Sequence, residues 1–210
     1  MIRRTALPVA LAAMAAAALA WGAMPASTIP FAATFAALAA WVAVVDLRSF
    51  EIPDGANVAL LVLGLVWAIV AADPSSLPLT PALVFGAATE PPAWAGPLFA
   101  FVDGLARAGG AAGTLLAVRA FYRRARGIEG IGLGDIKLAG ALAAWLAWPD
   151  LPTGLFVAVL GALLVTVGAS VIARRRLDGA AWIPFGAFLA PAAWLVWALR
   201  AAGVPIPLLG

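Results

Sequence analysis

Residues 154–176 read GLFVAVLGALLVTVGASVIARRR, an uncharged apolar run closed at one end by Arg174, Arg175 and Arg176. About 20 such residues in a helix cross the hydrocarbon core of a bilayer. Arginines at the end of a span mark its cytoplasmic side. The pattern recurs outward from this stretch in both directions. Upstream, 98–122 closes on Arg119, Arg123, Arg124 and Arg126, and the apolar run 55–72 follows a polar segment at 46–54. Downstream, 183–201 is again apolar. Spans are predicted at 1–21, 29–45, 55–72, 98–122, 136–148, 154–173 and 183–201. This is an all-α, polytopic transmembrane helical bundle of about seven spans with a cytoplasmic N-terminus, read as a single integral membrane domain over 1–210.

Segment 1–27 begins with Arg3 and Arg4 and reaches small residues near Ala26. It reads as a retained first span, with a cleaved signal peptide as the alternative. The proline-rich stretch 73–97 reads as a loop on the outer side, and Gly109 with Gly113 as a small-residue face for close helix packing. The fifth segment is short for a span. Either the membrane thins there, or the glycines before it enter the bilayer. No internal repeat suggests a two-fold transporter architecture.

Composition narrows the chemistry. The 210 residues are 65% hydrophobic and only 11% charged, with a mean hydropathy of +1.05, whereas about a quarter of a soluble domain is charged. The net charge of +3 comes from basic residues beside apolar runs, not from one basic face. The lipid bilayer is therefore the expected partner, and no nucleic acid is. Cysteine and histidine are both absent from the sequence, which removes disulfides, thiolate metal sites and imidazole acid–base chemistry. No metal and no cofactor are expected. Catalysis by this chain falls to Asp, Glu, Lys, Arg, Ser, Thr or its single tyrosine.

Within 130–138, GIGLGDIKL, a carboxylate follows alternating glycines and precedes a lysine. Ionisable groups at membrane depth cost a few kcal/mol (roughly 2.5–3.5 for an Asp at mid-helix) and are functional candidates by default. Glycines allow positive φ and close backbone approach. The topology puts Asp46, at the end of the second span, at the same depth as Asp135. Two neighbouring carboxylates cannot both ionise cheaply, so such a pair shares a proton. It can then activate a water against a peptide carbonyl with no metal and no nucleophilic side chain. Blander readings stay open. Asp46 reads equally as a charge at a helix end and Asp135 as a helix cap. Asp54 reads as a cap, Arg48 and Lys137 as snorkelling anchors, and Glu51 and Glu129 as solvated loop charges. Pro184–Gly186 reads as a helix start or as a substrate-lining segment.

Three stretches, Asp46-Leu47-Arg48 with Ile52-Pro53-Asp54, Gly132-Leu133-Gly134-Asp135-Ile136-Lys137-Leu138, and Ile183-Pro184-Phe185-Gly186-Ala187-Phe188-Leu189, resemble in order the signature segments of the type IV prepilin peptidases. The likeness runs over 41–197. These are intramembrane aspartic peptidases that cut the short basic leader from prepilin and pseudopilin precursors. The resemblance implies Asp46 and Asp135 as the catalytic aspartates. It implies Gly132 and Gly134 as the glycines beside the second. Lys137 and Arg48 are then candidates to tune the pair or meet the substrate, and Pro184, Phe185 and Gly186 to line it. It also implies a pilin-like precursor as partner, and a bacterial inner membrane with the catalytic side cytoplasmic. Many members carry a cysteine-bearing zinc insert near the N-terminus and methylate the new amine. These residues hold no such insert, so the likeness is to a short form, with methyltransferase activity and oligomeric state left open. The third segment often reads Pro-Phe-Gly-Pro, and Ala187 takes the last place here. The alternative from another class is a proton-coupled transporter or scaffold that uses Asp46 and Asp135 as proton or cation sites, with Asp103 as a further acid.

Overall fold

The computed structural model describes residues 22, 24–72, 92–127, 129–173 and 183–204. The predicted first span, most of the proline-rich stretch and Arg174–Arg176 lie outside the described residues. Among those described there are six helices and no strand: α1 (Ile29–Ser49), α2 (Asp54–Val70), α3 (Ala95–Arg126), α4 (Leu133–Ala143), α5 (Asp150–Ala173) and α6 (Gly186–Ala201). The all-helical expectation holds. By length and composition α1 and α5 can each cross a membrane, while α2 and α6 are shorter apolar helices. The 11 residues of α4 rise only about 16 Å at 1.5 Å per residue, roughly half a hydrocarbon core.

The chain divides into two compact units, one of residues 1–56 and 148–210 and the other of 57–147. In the first unit, α1 and α5 both pack on α6. That makes α6 the core: residues 186–194, Val196, Trp197 and Ala198 are all buried. Aromatic side chains make the contacts. Phe35 meets Trp197 edge-on at 5.8 Å between ring centres, and the Trp194 indole N–H donates to the Ala32 carbonyl at 3.0 Å. Such indole N–H groups need an acceptor once buried. At the far end of α6, Arg200 forks onto Asp150, with Nε–Oδ2 3.0 Å and Nη2–Oδ1 2.5 Å, so a charge pair fixes the start of α5.

In the second unit, α4 lies against α3. The close approach uses Gly140 of α4: a Cβ there would come 3.1 Å from the Ala108 carbonyl oxygen and 3.2 Å from the Ala112 Cβ. The predicted small-residue face at Gly109 and Gly113 is corrected by this finding. Both are exposed, with open space where a Cβ would stand, and the packing face of α3 runs through Gly104, Ala108 and Ala112 instead. On α2, Gly64 leaves room for the Trp145 indole, which would lie 2.8 Å from an added Cβ and donates to the Leu60 carbonyl at 2.8 Å.

Asp103 and Arg107, one turn apart on α3, form a buried ion pair. The guanidinium also donates to the carbonyls of Ala143 and Ala144, at 3.3 and 3.5 Å. The last carbonyls of a helix have no partner within it, and a cation there suits the helix dipole. Asp103 is thereby accounted for as part of the clamp on the C-terminal end of α4.

Candidate active site

Asp46 sits in the last turn of α1 and is only 4% exposed. Its Oδ2 accepts the backbone N–H of Ala187 at 2.8 Å. Ala187 is the second residue of α6, where N–H groups have no intrahelical acceptor. A carboxylate at that position satisfies the donor and suits the positive end of the helix dipole. The approach depends on Gly186. A Cβ on it would stand 3.1 Å from Asp46 Oδ2 and 2.8 Å from the Cδ1 of Ile52. The Asp46 main chain is engaged as well, its carbonyl accepting the N–H of Phe50 at 2.9 Å. Phe50 adopts the left-handed conformation, φ 57°, which a bulky residue enters only at a cost. It stops α1 and turns the chain into Ile52-Pro53-Asp54. Asp54 is the first residue of α2, inside the helix and not ahead of it.

The third signature segment gains its role from this geometry. Pro184 is buried, Phe185 caps α6 and Gly186 begins it. Of the two sequence readings, the helix start is observed, and the helix it starts holds Asp46.

Asp135 is built differently. It is the third residue of α4, with Gly132 at the capping position in extended conformation. Its half-buried carboxylate folds back to accept the Gly132 N–H, as the acidic member of a capping box does. A Cβ on Gly132 would lie 2.9 Å from Asp135 Oδ2, so only glycine leaves the carboxylate room. Asp135 thus secures the start of α4 from the third position, and the cap proper is Gly132. Gly134 is half-buried, while Lys137 and Arg48 are exposed.

Sequence reasoning missed the residues that hold the loop before α4. Arg119 donates through Nη1 to the Ile131 carbonyl and through Nη2 pairs with Glu129 Oε2 at 2.5 Å. Arg123 lies 3.9 Å from the other Glu129 oxygen. The Tyr122 ring covers Gly130, 2.8 Å from where a Cβ would stand. Glu129, read from sequence as a solvated loop charge, is indeed exposed, and it also pairs with Arg119. Arg119, Tyr122 and Arg123 share one helical face by their spacing. Their position just ahead of a glycine-rich loop was the available signal.

The family comparison falls on these elements. A model of the type IV leader peptidase family matches residues 32–167, which include both Asp46 and Asp135. The chain belongs to the type IV leader peptidase family. In this leader peptidase relative the third signature segment lies beyond the matched region, and the Ala187–Asp46 hydrogen bond ties it to the first. Among curated proteins, the prepilin leader peptidase/N-methyltransferase of Aeromonas hydrophila is 35% identical over 147 residues, 66% of this chain and 49% of that protein. The enzyme of the same name from Xanthomonas campestris pv. campestris is 31% identical over 154 residues, 73% of this chain and 44% of the relative. That from Burkholderia pseudomallei is 44% identical over 69 residues, 33% and 22% of the two lengths. The chain therefore spans less than half the length of each of these relatives. No solved structure matches it.

Proposed function

We propose that this chain is an intramembrane aspartic endopeptidase that removes the short basic leader from prepilin or pseudopilin precursors, with Asp46 and Asp135 as its catalytic pair. Family membership supports the reaction class. The observation that carries the residue assignment is the Asp46 carboxylate, 4% exposed and joined to Ala187 of the third segment at 2.8 Å. An acid buried at that depth and oriented by a distant segment is more than a solvated helix end. In the proposed reaction one aspartate is ionised and the other protonated. The ionised carboxylate takes a proton from water as the water oxygen attacks the scissile carbonyl carbon, and the protonated one gives its hydrogen to the carbonyl oxygen. The tetrahedral intermediate then collapses. The C–N bond breaks as the leaving amine takes the proton from the aspartate that accepted it from water and a hydroxyl of the intermediate returns a proton to the other aspartate, and the products are a free leader carboxyl group and a mature N-terminus.

The proposal places the chain in the bacterial inner membrane with seven spans and a cytoplasmic N-terminus. The precursor's apolar helix would lie among the spans and its basic leader on the cytoplasmic side. Steering a leader of that charge toward two acids agrees with their sign. The test is mass spectrometry of a pilin-like precursor co-expressed with the wild type, Asp46→Asn or Asp135→Asn. Each variant is expected to insert normally and leave the precursor uncut. Wild-type processing by either would remove that residue from the pair.

A further inference from the structure

The four arginines that close α3 are equivalent as markers of membrane orientation, but they are not equivalent in the structure. Arg124 and Arg126 are exposed at the end of the helix. Arg119 is 13% exposed and spends both arms of its guanidinium on the loop just before α4. One arm takes the Ile131 carbonyl, the other Glu129. The Ile131 carbonyl and the Gly132 N–H belong to one peptide unit, and that unit is planar and trans. Fixing the direction of the carbonyl therefore fixes the direction of the N–H on its opposite side. That N–H is the one the Asp135 carboxylate accepts.

We propose that Arg119 is a positioning residue for Asp135, acting through the Ile131–Gly132 peptide, with Glu129 holding the guanidinium in place. A hydrogen bond at each end polarises the peptide in the same sense and strengthens both. Tyr122 on Gly130 fixes the same loop one residue earlier. The arrangement requires arginine. Its planar fork supplies two diverging donors, while lysine offers a single compact charge on a flexible stem. For membrane orientation lysine and arginine count alike, so Arg119→Lys separates the two roles.

The inference rests on the peptidase reading for its kinetic arm and is independent of it for the other. In the kinetic arm, Arg119→Lys is expected to lower kcat for precursor cleavage about tenfold with KM unchanged, since small misplacements of a reacting group cost this much or more. Arg124→Lys and Arg126→Lys are expected to cleave as wild type. Glu129→Gln should give a smaller loss, and adding it to Arg119→Lys should cost nothing further. The second arm is amide hydrogen exchange on the whole protein in detergent, read at residues 129–136. Arg119→Lys is expected to speed exchange there about tenfold relative to Arg124→Lys, with a C-terminal topology reporter unchanged. Wild-type kcat in Arg119→Lys, or unaltered exchange at 129–136, would overturn the proposal. A wild-type protein that cuts no precursor would instead overturn the peptidase reading, and the exchange arm would still decide the role of Arg119.

Discussion

Asp46 and Asp135 each set a carboxylate against a backbone N–H at the start of a helix, α6 for the first and α4 for the second, yet they are held on opposite principles. Asp135 finds its N–H donor three residues away, at Gly132. Asp46 finds its donor 141 positions away, at Ala187. The first arrangement has both its partners within one short segment, whose preceding peptide Arg119 holds. The second exists only once α1 and α6 have packed. The lesson is that one acid can be positioned by local chain geometry and another by the fold, with the same hydrogen bond as the result.

The contrast has consequences that can be broken one at a time. The largest effect is expected at Arg107, whose loss leaves Asp103 buried without its guanidinium and strips the partners from the Ala143 and Ala144 carbonyls. Arg107→Met should cost about 3–5 kcal/mol of stability in detergent unfolding, showing that even the locally built acid needs its helix seated from the other end. Next come the paired glycines. Gly186→Ala pushes a Cβ against Ile52 and the Asp46 carboxylate within a packed core, and should cost about 1–3 kcal/mol together with activity. Gly132→Ala should lower activity while shifting the unfolding midpoint little, because the Asp135 side chain can rotate away. Equal stability losses in the two variants would erase the distinction between fold-held and locally held acids.

A finer cut is Ala187→Pro. The ring fits the first turn of a helix but removes the N–H and with it the bond to Asp46. A charge-assisted hydrogen bond contributes about 1.5–3 kcal/mol, partly offset by the proline's stiffer unfolded chain. A net loss of about 1 kcal/mol is expected in the same unfolding assay, with Ala187→Gly as the control that keeps the donor. The smallest effect is expected at Phe50, where Phe50→Gly relieves the left-handed conformation. It should raise the unfolding midpoint by the equivalent of roughly 0.5 kcal/mol, which would place the cost of stopping α1 in the backbone.

Much of this was legible in the residues. The helices, their order and the candidate aspartates follow from apolar run lengths and from acids next to breakers, which are local signals. The Gly132–Asp135 arrangement was nearly readable, since spacing of three is set by helix geometry alone. The packing face of α3 was not. Gly109 and Gly113 have the right spacing, but so do Gly104, Ala108 and Ala112, and only the positions of Gly140 and of Leu65 and Ala68 choose between them. Arg107 and Arg119 were legible as charges and illegible as clamps for the same reason, because their acceptors are backbone carbonyls that every residue possesses.

By itself the sequence determined the class of protein, a helical membrane chain of the leader peptidase family, together with the acids available to it and the absence of imidazole and thiol. Those follow from composition and from signals a few residues long. The tertiary structure alone decided that the Ala187 N–H meets Asp46, that Asp103 belongs to a helix clamp, and that of the four arginines closing α3, Arg119 and Arg123 reach Glu129 and Arg119 also takes the Ile131 carbonyl. Each of these depends on which backbone group meets which side chain across the fold, and backbone groups leave no mark in the sequence.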